Sequence, residues 1–300
     1  EIRLSLVGSE MCIRDRYKLF RRILGQVQHC SLFTHPEIST AVNIVSQNMA
    51  NPSDRDLQRV FTILRYLYGC TQAHQQQKLT HKRHDKYDSI HYKQNPIHAK
   101  CDADLSNCKK TRRSRTGFCI YLFGMLEGWC SRRQASVSLS TCESEYVSLS
   151  SCAQHVKWFK ELVANMGVEV AVCEPVFILT DSASARQLAH SDVSIINKYS
   201  KHIEQRVHWF RELVKSKQLC IAHIPGDQNT SDIFTKCVSI KLFTKYRREL
   251  LHGDYAHIRD IPNLKCSLMY THNPMSPYHI SHFVCMCHSH NLTSFFVLRN

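Results

Sequence analysis

The chain has 300 residues, of which 43% are hydrophobic, and 39 Lys and Arg against 25 Asp and Glu give a formal net charge of +14 at pH 7. This length suggests about two domains, and the hydrophobic content is sufficient for a folded core, which excludes wholesale disorder. No apolar run approaches the roughly 18 residues of a membrane span, so we do not expect the chain to be an integral membrane protein. The positive charge favours a polyanionic partner, with nucleic acid ahead of a membrane surface.

Fifteen cysteines are scattered along the chain without the spacing of a disulfide framework. In a chain of this length they indicate reduced thiols in a cytosolic or nuclear protein. The first residues also lack the long apolar stretch of a secretory signal. We therefore expect a cytoplasmic or nuclear location and no secretion.

The N-terminal part of the chain divides into an irregular and a helical segment. Residues 1–16 follow neither a helical nor a strand period and look like translated sequencing-adapter sequence, so we expect an artefactual or disordered N-terminus. Residues 17–72 carry apolar stripes of helical period, and their second helix is predicted to start after Ser53 as N-cap and to end at Gly69. The polar residues 73–95 are expected to form a linker.

From residue 96 the pattern changes to strands and then to alternating helices and strands. Ile97, Ala99 and Cys101 alternate with polar residues and predict a half-buried strand, which two more strands follow in an antiparallel meander. The later segments predict, in order, a helix over 141–166, a strand over 175–180, helices over 182–190 and 200–217, a strand over 219–224 and a helix over 231–237. This order implies an α/β fold over 96–238, a mixed five-stranded sheet with helices on both faces. Residues 239–300 show little helical or strand periodicity and are expected to be a poorly ordered tail.

Three acidic residues stand where predicted strands end or a predicted helix begins. Asp102 ends the first strand, Asp181 ends the apolar strand 176–180, and Asp232 lies in a first helical turn. In mixed sheets, ligand-binding and catalytic sites commonly lie at the carboxyl ends of the strands. Carboxylates that meet there repel each other unless a cation lies between them. Hard divalent cations prefer such oxygen ligands. Each residue alone could instead be a turn former or a favourable charge at a helix terminus.

Glu145 is a fourth candidate, on the predicted long helix. It extends an apolar stripe formed by Leu149, Cys152, Val156, Phe159 and Val163. A carboxylate on the core side requires a partner, because burying it unpaired is costly, and a metal is one candidate. The alternative is an exposed first turn, with Glu145 near the positive helix end. Glu143, by contrast, fits a capping box that begins at Ser140.

The acids are embedded in short motifs. In chain order these are Lys100-Cys101-Asp102-Ala103-Asp104, Arg113-Ser114-Arg115-Thr116-Gly117-Phe118, Ser138–Leu149, Leu179-Thr180-Asp181-Ser182, Lys201-His202-Ile203-Glu204 and Ser231-Asp232-Ile233-Phe234-Thr235-Lys236. The ordered set resembles the ribonuclease H domain of copia-type LTR retrotransposon Pol polyproteins over about 96–237. In those polyproteins, the end of the reverse-transcriptase region, its thumb or connection, precedes ribonuclease H. Two upstream motifs resemble this region, namely His35-Pro36-Glu37-Ile38-Ser39 and Leu64-Arg65-Tyr66-Leu67-Tyr68-Gly69.

This resemblance implies a ribonuclease H-like fold and a metal-dependent endonuclease that hydrolyses the RNA strand of RNA–DNA hybrids within a Pol polyprotein. By motif, the resemblance implies that the family's catalytic and metal-binding quartet corresponds to Asp102, Glu145, Asp181 and Asp232. Asp104 is the second choice for the position assigned to Asp102. Two Mg²⁺ ions are implied as cofactor, with Mn²⁺ as an alternative. The implied partners are an RNA–DNA hybrid or other nucleic acid and the remainder of the polyprotein, without a membrane, in a virus-like particle or the nucleus.

One departure from the family affects the loop after the first strand. The family often has an aromatic residue and a glycine soon after the Asp pair, where this chain has Leu105-Ser106-Asn107. The departure concerns the geometry of the loop and leaves the ligands unchanged.

Basic residues provide candidates for nucleic-acid binding. They are Lys109, Lys110, Arg112, Arg113, Arg115, Arg132, Arg133, Lys198 and Lys201. Lys and Arg that neutralise phosphates make binding dependent on salt, although a charged run is equally compatible with a solvated loop. The resemblance also makes His223 a candidate proton shuttle, with a buried strand histidine as the alternative.

Other functions remain open. A decayed or co-opted element would bind nucleic acid without cutting it. An integrase-like nuclease would need a glutamate on a helix a few dozen residues after Asp181, and Glu212 has that position, but core and basic faces already explain its helix. An aspartic protease is rejected because Asp181-Ser182-Ala183 lacks the required glycine. The tail holds metal-capable residues without the paired spacing of a zinc module, namely His282, Cys285, Cys287, His288 and His290.

Overall fold

The structure is a computed structural model that describes residues 2–77, 97–122, 124–167, 175–190 and 201–252. The basic candidate Lys198, the metal-capable residues of the tail and most of the expected linker lie outside these ranges. Within them, no helix combines the length and the apolar character that crossing a membrane requires.

The chain begins with helices and continues into the sheet. The N-terminal elements are α1 (Ile2–Phe33), a 3₁₀ helix (Pro36–Ile38), α2 (Ser39–Ser46) and α3 (Asp54–Gln77). The strands are β1 (Ile97–Asp104), β2 (Arg115–Leu122), β3 (Met125–Arg133), β4 (Val176–Thr180) and β5 (Leu219–His223). The remaining helices are α4 (Thr141–Asn165), α5 (Ala183–His190), α6 (Lys201–Lys215) and α7 (Ile240–His252), with 3₁₀ helices at Gly226–Gln228 and Thr230–Phe234.

The five strands form one mixed sheet in the order β3-β2-β1-β4-β5. The pairs β1–β2 and β2–β3 are antiparallel, as the predicted meander requires, whereas β1–β4 and β4–β5 are parallel. Parallel neighbours need long crossovers, which α4 supplies between β3 and β4, and α5 with α6 between β4 and β5. This topology confirms the predicted ribonuclease H-like α/β fold.

Helices cover both faces of the sheet, as predicted. On one face, apolar residues of the strands pack against α4, α5 and α6, with Leu149 and Phe210 fully buried in that core. On the other face, Phe234 of the last 3₁₀ helix and Tyr246 of α7 pack against Tyr121 of β2. Apolar strand residues therefore point to both sides, which explains why the central strands have so few exposed positions.

The helices before the sheet form a unit with its own core. This helical unit, defined as α1, α2, α3 and the 3₁₀ helix between α1 and α2, buries Phe20, Leu24, Val42, Val45 and Val60 in one cluster. It also contacts the sheet, because Trp129 Nε1 of β3 donates to the Ser31 carbonyl at 2.9 Å. The helical segment expected before the sheet is therefore present.

Two expectations about the helical unit need correction. Residues 2–16, expected to be artefactual or disordered, belong to α1, which no proline interrupts before Pro36, so the expected disorder is wrong and the artefactual origin stays a prediction. Helix α3 continues past Gly69 to Gln77, so the expected linker begins later than residue 73. A glycine inside a helix costs only about 1 kcal/mol, and the following Cys70 is buried, which extends the apolar face.

The C-terminal boundary at residue 238 also needs correction. Residues expected to start a poorly ordered tail form α7, whose Tyr246 and Leu250 are buried against the sheet. The same helix contributes Glu249, whose Oε1 lies 2.6 Å from the fully buried Lys100 Nζ of β1. The helix predicted over 231–237 is the shorter 3₁₀ helix Thr230–Phe234.

Candidate active site

Three of the predicted carboxylates converge at one edge of the sheet. One ligand oxygen from each of Asp102, Asp181 and Asp232 lies within 4.8 Å of the others. Asp102 is on β1 and Asp181 directly follows β4, and these strands are parallel neighbours whose carboxyl ends meet at the same edge. Asp232 reaches the same place from the 3₁₀ helix Thr230–Phe234. The predicted set of strand-end acids is thus brought together.

Asp102 is held by neighbours from α4 and from the segment that follows the 3₁₀ helix Thr230–Phe234. It is 2% exposed, and its Oδ2 accepts a hydrogen bond from Thr235 Oγ1. Its carbonyl oxygen accepts another from Ser148 Oγ of α4 at 2.7 Å. Burial raises the pKa of Asp102, and although the nearby Lys236 lowers it, the net shift is upward. The second candidate of this pair, Asp104, instead accepts from Asn107 Nδ2 and is absent from the carboxylate group.

Asp181 is oriented by a buried amide. Asn229 Nδ2 donates to Asp181 Oδ1 at 3.2 Å and to the Cys101 carbonyl at 3.1 Å. Ser231 Oγ donates to Asn229 Oδ1 at 2.5 Å, which fixes the orientation of the amide. Asn229 is fully buried, so these bonds tie the end of β4 to β1 without competition from water.

Asp232 is 6% exposed and lies against a lysine one helical turn later. Lys236 Nζ is 3.0 Å from Asp232 Oδ1 and 3.9 Å from Asp102 Oδ2. Burial and the charge of Asp102 raise the pKa of Asp232 to about 7. Burial lowers the pKa of Lys236, but the charges of Asp102 and Asp232 outweigh it, and the net shift is upward.

Glu145 lies on α4 and does not belong to the group of three converging carboxylates, but its charge interacts with those of Asp102 and Asp181. The apolar stripe that it extends is buried as predicted, and its Oε2 is buried without a hydrogen-bond partner. Burial, followed by the charges of Asp102 and Asp181, raises the pKa of Glu145 to about 9. Glu145 is half-buried and one of its carboxylate oxygens is buried, which differs from a fully solvent-facing first turn.

Glu143 serves the helix terminus, as predicted. Its backbone N–H donates to Ser140 Oγ at 3.1 Å, and its own Oε2 accepts from the Leu139 N–H at 2.9 Å. These bonds satisfy N–H groups at the start of α4. They also fix the helix start at Thr141, four residues before Glu145.

Sequence reasoning missed Asn229, Thr235 and Lys236. All three lie within the segment 229–236 and act on the carboxylates through hydrogen bonds or charge. The spacing of Asp232 and Lys236, four residues apart, is a helical ion-pair signal. Nothing in the local sequence predicts the contacts of Asn229 and Thr235, because their partners lie on β1 and after β4.

The basic candidates fall into different environments. Lys109, Lys110, Arg112 and Arg132 are exposed, and Arg113 and Arg133 are half-buried. Arg115 needs correction, because it is 2% exposed and its Nη1 donates to Asn43 Oδ1 and Ser131 Oγ. It stabilises the contact between α2 and β3 and is shielded from any phosphate. The side chain of Lys201 lies outside the described residues.

Two further candidates are exposed. His223 ends β5 beside Thr180 of β4, and its exposure corrects the alternative of a buried strand histidine. Glu212, the candidate for an integrase-like site, is exposed on α6 and does not belong to the carboxylate group. The geometry therefore favours Asp232 over Glu212 as the partner of Asp102 and Asp181.

The donor set fits a hard divalent cation. Asp102, Asp181 and Asp232 provide converging carboxylate oxygens, and the Oε2 of Glu145 is a buried acceptor without a donor. Carboxylates in this proximity repel one another, and this repulsion adds to the effect of burial in raising the pKa values of Glu145 and Asp232. A divalent cation prefers such oxygen ligands and would relieve the repulsion.

No model of a known protein family matches the chain. The retrovirus-related Pol polyprotein from transposon TNT 1-94 of Nicotiana tabacum is 30% identical over 217 residues, which are 72% of this chain and 15% of that polyprotein. The corresponding polyprotein from transposon RE1 of Arabidopsis thaliana is 30% identical over 234 residues, 77% of this chain and 15% of that polyprotein. The solved structure of LC11-RNase H1, isolated from compost, is 15% identical with a TM-score of 0.36 and covers 47% of this chain and 93% of that chain. The chain spans about 15% of the length of these curated relatives, and over 72% and 77% of its own length it is a homologue of retrovirus-related Pol polyproteins from plant transposons.

Proposed function

We propose that this chain is the ribonuclease H segment of a retrotransposon Pol polyprotein and hydrolyses the RNA strand of RNA–DNA hybrids with divalent cations. The observation that carries the proposal is the convergence of Asp102, Asp181 and Asp232 within 4.8 Å at one edge of the sheet. Glu145 supports it, because its buried Oε2 has no hydrogen-bond partner.

The four acids are the proposed ligands of Mg²⁺ or Mn²⁺. When bound, two such ions supply an activated water and stabilisation of the leaving 3′ oxygen of a phosphodiester. The chain's own contribution is to fix the ligands in advance. Thr235 orients Asp102 and Asn229 orients Asp181, each by a donated hydrogen bond. Preorganised ligands of this kind lower the cost of assembling the site.

Lys236 has a separate role in the proposed site. Its ammonium lies 3.0 Å from Asp232 Oδ1 and 3.9 Å from Asp102 Oδ2, so it offsets part of the negative charge. A cation beside two carboxylates makes their ionised forms less unfavourable in the metal-free protein. We infer that Lys236 keeps Asp102 and Asp232 close together before a divalent cation binds.

The hybrid is the proposed partner, together with the remainder of the polyprotein. The exposed Lys109, Lys110, Arg112 and Arg132 are the candidates for phosphate contacts, and such contacts make binding weaken steeply with salt. Recognition of the hybrid would use its shape, phosphates and 2′-hydroxyl groups rather than its sequence. His223, exposed at the end of β5, remains a candidate for proton transfer.

A cleavage assay with the two strands labelled separately tests the proposal. Asp181→Asn should reduce Mg²⁺-dependent cleavage of the RNA strand more than about 100-fold, because it removes a metal ligand. Loss of a residue that only hydrogen-bonds a ligand typically lowers metal affinity or activity about 10–100-fold. Hybrid binding should persist. The matched control is Asp227→Asn, since Asp227 follows the neighbouring strand β5 but is exposed and pairs with Lys245.

The assay also separates the proposed enzyme from its alternative. A decayed or co-opted module would bind the hybrid without cutting it, with Mg²⁺ present and with the wild-type residues intact. Cleavage by Asp181→Asn at the wild-type rate would refute the assigned site. Cleavage that continues after removal of divalent cations would refute the metal dependence.

A further inference from the structure

Helix α2 of the helical unit contacts the segment that carries Asp232. Thr40 Oγ1 donates a hydrogen bond to the Ile233 carbonyl oxygen at 2.7 Å. Ile233 directly follows Asp232 in the 3₁₀ helix. Thr40 is 6% exposed and Ile233 is 3% exposed, so the bond is shielded from water. A residue from outside the sheet domain therefore holds the backbone next to a site carboxylate.

A second hydroxyl, on β3, completes this contact. Ser131 Oγ donates to the Phe234 carbonyl at 2.7 Å and lies 3.2 Å from Thr40 Oγ1. A hydroxyl has one hydrogen, and in each case it is directed to a carbonyl of the 3₁₀ helix. Carbonyls at the end of a helix lack partners within the helix, and leaving them buried without a donor is costly. Thr40 and Ser131 supply these donors for two consecutive residues.

The two carbonyls lie inside the turn that connects Asp232 to Thr235. The backbone N–H groups of Thr235 and Lys236 both donate to the Asp232 carbonyl, at 3.1 and 3.0 Å. Thr235 Oγ1 then donates to Asp102 Oδ2. A displacement of Ile233 would therefore move Asp232 and the hydroxyl that orients Asp102 together.

We propose that Thr40 is a positioning residue for Asp232, and that through it the helical unit determines how tightly the carboxylate cluster binds a divalent cation. This proposal rests on the proposed function for the metal, but the positioning itself does not depend on a bound ion. Thr40 does not belong to the carboxylate group and acts only through the backbone of Ile233.

Hydrogen exchange and metal titration of the full chain test the proposal. The variant is Thr40→Val, which keeps the shape of the side chain and removes the donor. The matched control is Ser39→Ala on the same helix, because Ser39 Oγ donates to the Ser31 carbonyl within the helical unit at 3.2 Å. Thr40→Ser restores a hydroxyl. The probes are the exchange rates of the Thr235 and Lys236 amides without metal, and titration with Mn²⁺ alone.

Thr40→Val should accelerate exchange of these two amides. It should also weaken Mn²⁺ binding about tenfold, as loss of a residue that supports a metal ligand typically does. Ser39→Ala and Thr40→Ser should leave both properties near wild type. Ser131→Ala removes the neighbouring donor, should act in the same direction, and carries the test if Thr40→Val does not fold. Unchanged exchange in Thr40→Val, or equal effects of Ser39→Ala, would overturn the proposal. If the wild type binds no Mn²⁺, the proposed function fails, while the exchange rates still decide whether Thr40 positions Asp232.

Discussion

Gly117 lies directly beneath Thr235, so closely that a Cβ atom on Gly117 would stand 2.6 Å from Thr235 Cγ2. The same atom would be 2.8 Å from Phe234 Cβ and 3.0 Å from the Ser231 carbonyl. Gly117 pairs with Asp102 across β2 and β1. The missing side chain therefore allows the segment that carries Asp232 to lie on the sheet beside Asp102.

Gly117→Ala should displace this segment. We expect a loss of about 1–3 kcal/mol in the free energy of unfolding, as for overpacking of a core, together with weaker Mn²⁺ binding. The control is Gly128→Ala on β3, where the nearest atom to a new Cβ is 3.8 Å away. Denaturant unfolding and Mn²⁺ titration measure both effects. Equal behaviour of the two alanine variants would contradict the role of Gly117.

Glu145 should make the stability of the metal-free protein fall as pH rises. Its ordinary pKa of 4.5 is raised to about 9 by burial and by the charges of Asp102 and Asp181. Between these values the folded state keeps a proton that the unfolded state has lost, so the contribution is complete below pH 4.5 and disappears as pH rises through about 9. Glu145→Gln should remove this dependence and exceed the wild type by at least about 1 kcal/mol at pH 8.

Chemical unfolding of the metal-free protein between pH 5 and 9 measures this difference. The control is Glu161→Gln, since Glu161 lies on the same helix and is exposed. It should follow the wild-type pH profile. A profile of Glu145→Gln parallel to that of the wild type would contradict the raised pKa of Glu145, and with it both the burial of this carboxyl and its proximity to the other acids.

Removal of Lys236 should raise the pKa of Asp232 above its present value of about 7, because the lysine is the charge that lowers it. Lys236→Met leaves burial and the charge of Asp102 in place, and both favour the protonated carboxyl. Carboxyl-carbon NMR titration of the metal-free protein measures the shift. Lys245→Met, which removes a lysine that pairs with the exposed Asp227, serves as control. An unchanged or lower pKa of Asp232 would contradict the assigned contact.

The ion pair between Lys100 and Glu249 should be essential for stability. Lys100 is fully buried on β1, and Glu249 Oε1 also accepts from Tyr121 at 3.3 Å and from Thr230. Lys100→Met leaves a buried carboxylate without its cation and should cost about 3–5 kcal/mol. The double variant with Glu249→Leu should recover much of this loss. Thermal or denaturant unfolding measures both, and a double variant no more stable than the single one would argue against a buried pair.

The fold could be predicted where the sequence pattern is periodic. Ile97, Ala99 and Cys101 alternate with polar residues, and the α4 stripe follows helical spacing, so both patterns predict the elements found. The expectation of a half-buried β1 is wrong, because its polar residues are covered as well as its apolar ones. Helix α7 was missed although Phe243, Tyr246 and Leu250 have the spacing of one helical face, and its burial depends on distant partners such as Lys100 and Tyr121. The first turns of α1 were missed because their sequence carries no period.

The candidate site could be predicted to the extent that each acid adjoins a strand end or a helix start. That placement brought Asp102, Asp181 and Asp232 together. The hydrogen bonds of Asn229 and Thr235 could not be predicted, since they join residues far apart in sequence. Arg115 was misassigned to the nucleic-acid surface for the same reason, because α2, which covers it, precedes the sheet by many residues.

Anomalous scattering from crystals of the wild-type chain soaked in MnCl₂ tests whether these acids bind a divalent cation. We expect a manganese peak in contact with at least two of the three carboxylates of Asp102, Asp181 and Asp232, and its loss in Asp102→Asn. Manganese bound only elsewhere on the protein, or a peak that persists in Asp102→Asn, would contradict the assignment of these acids as a metal site.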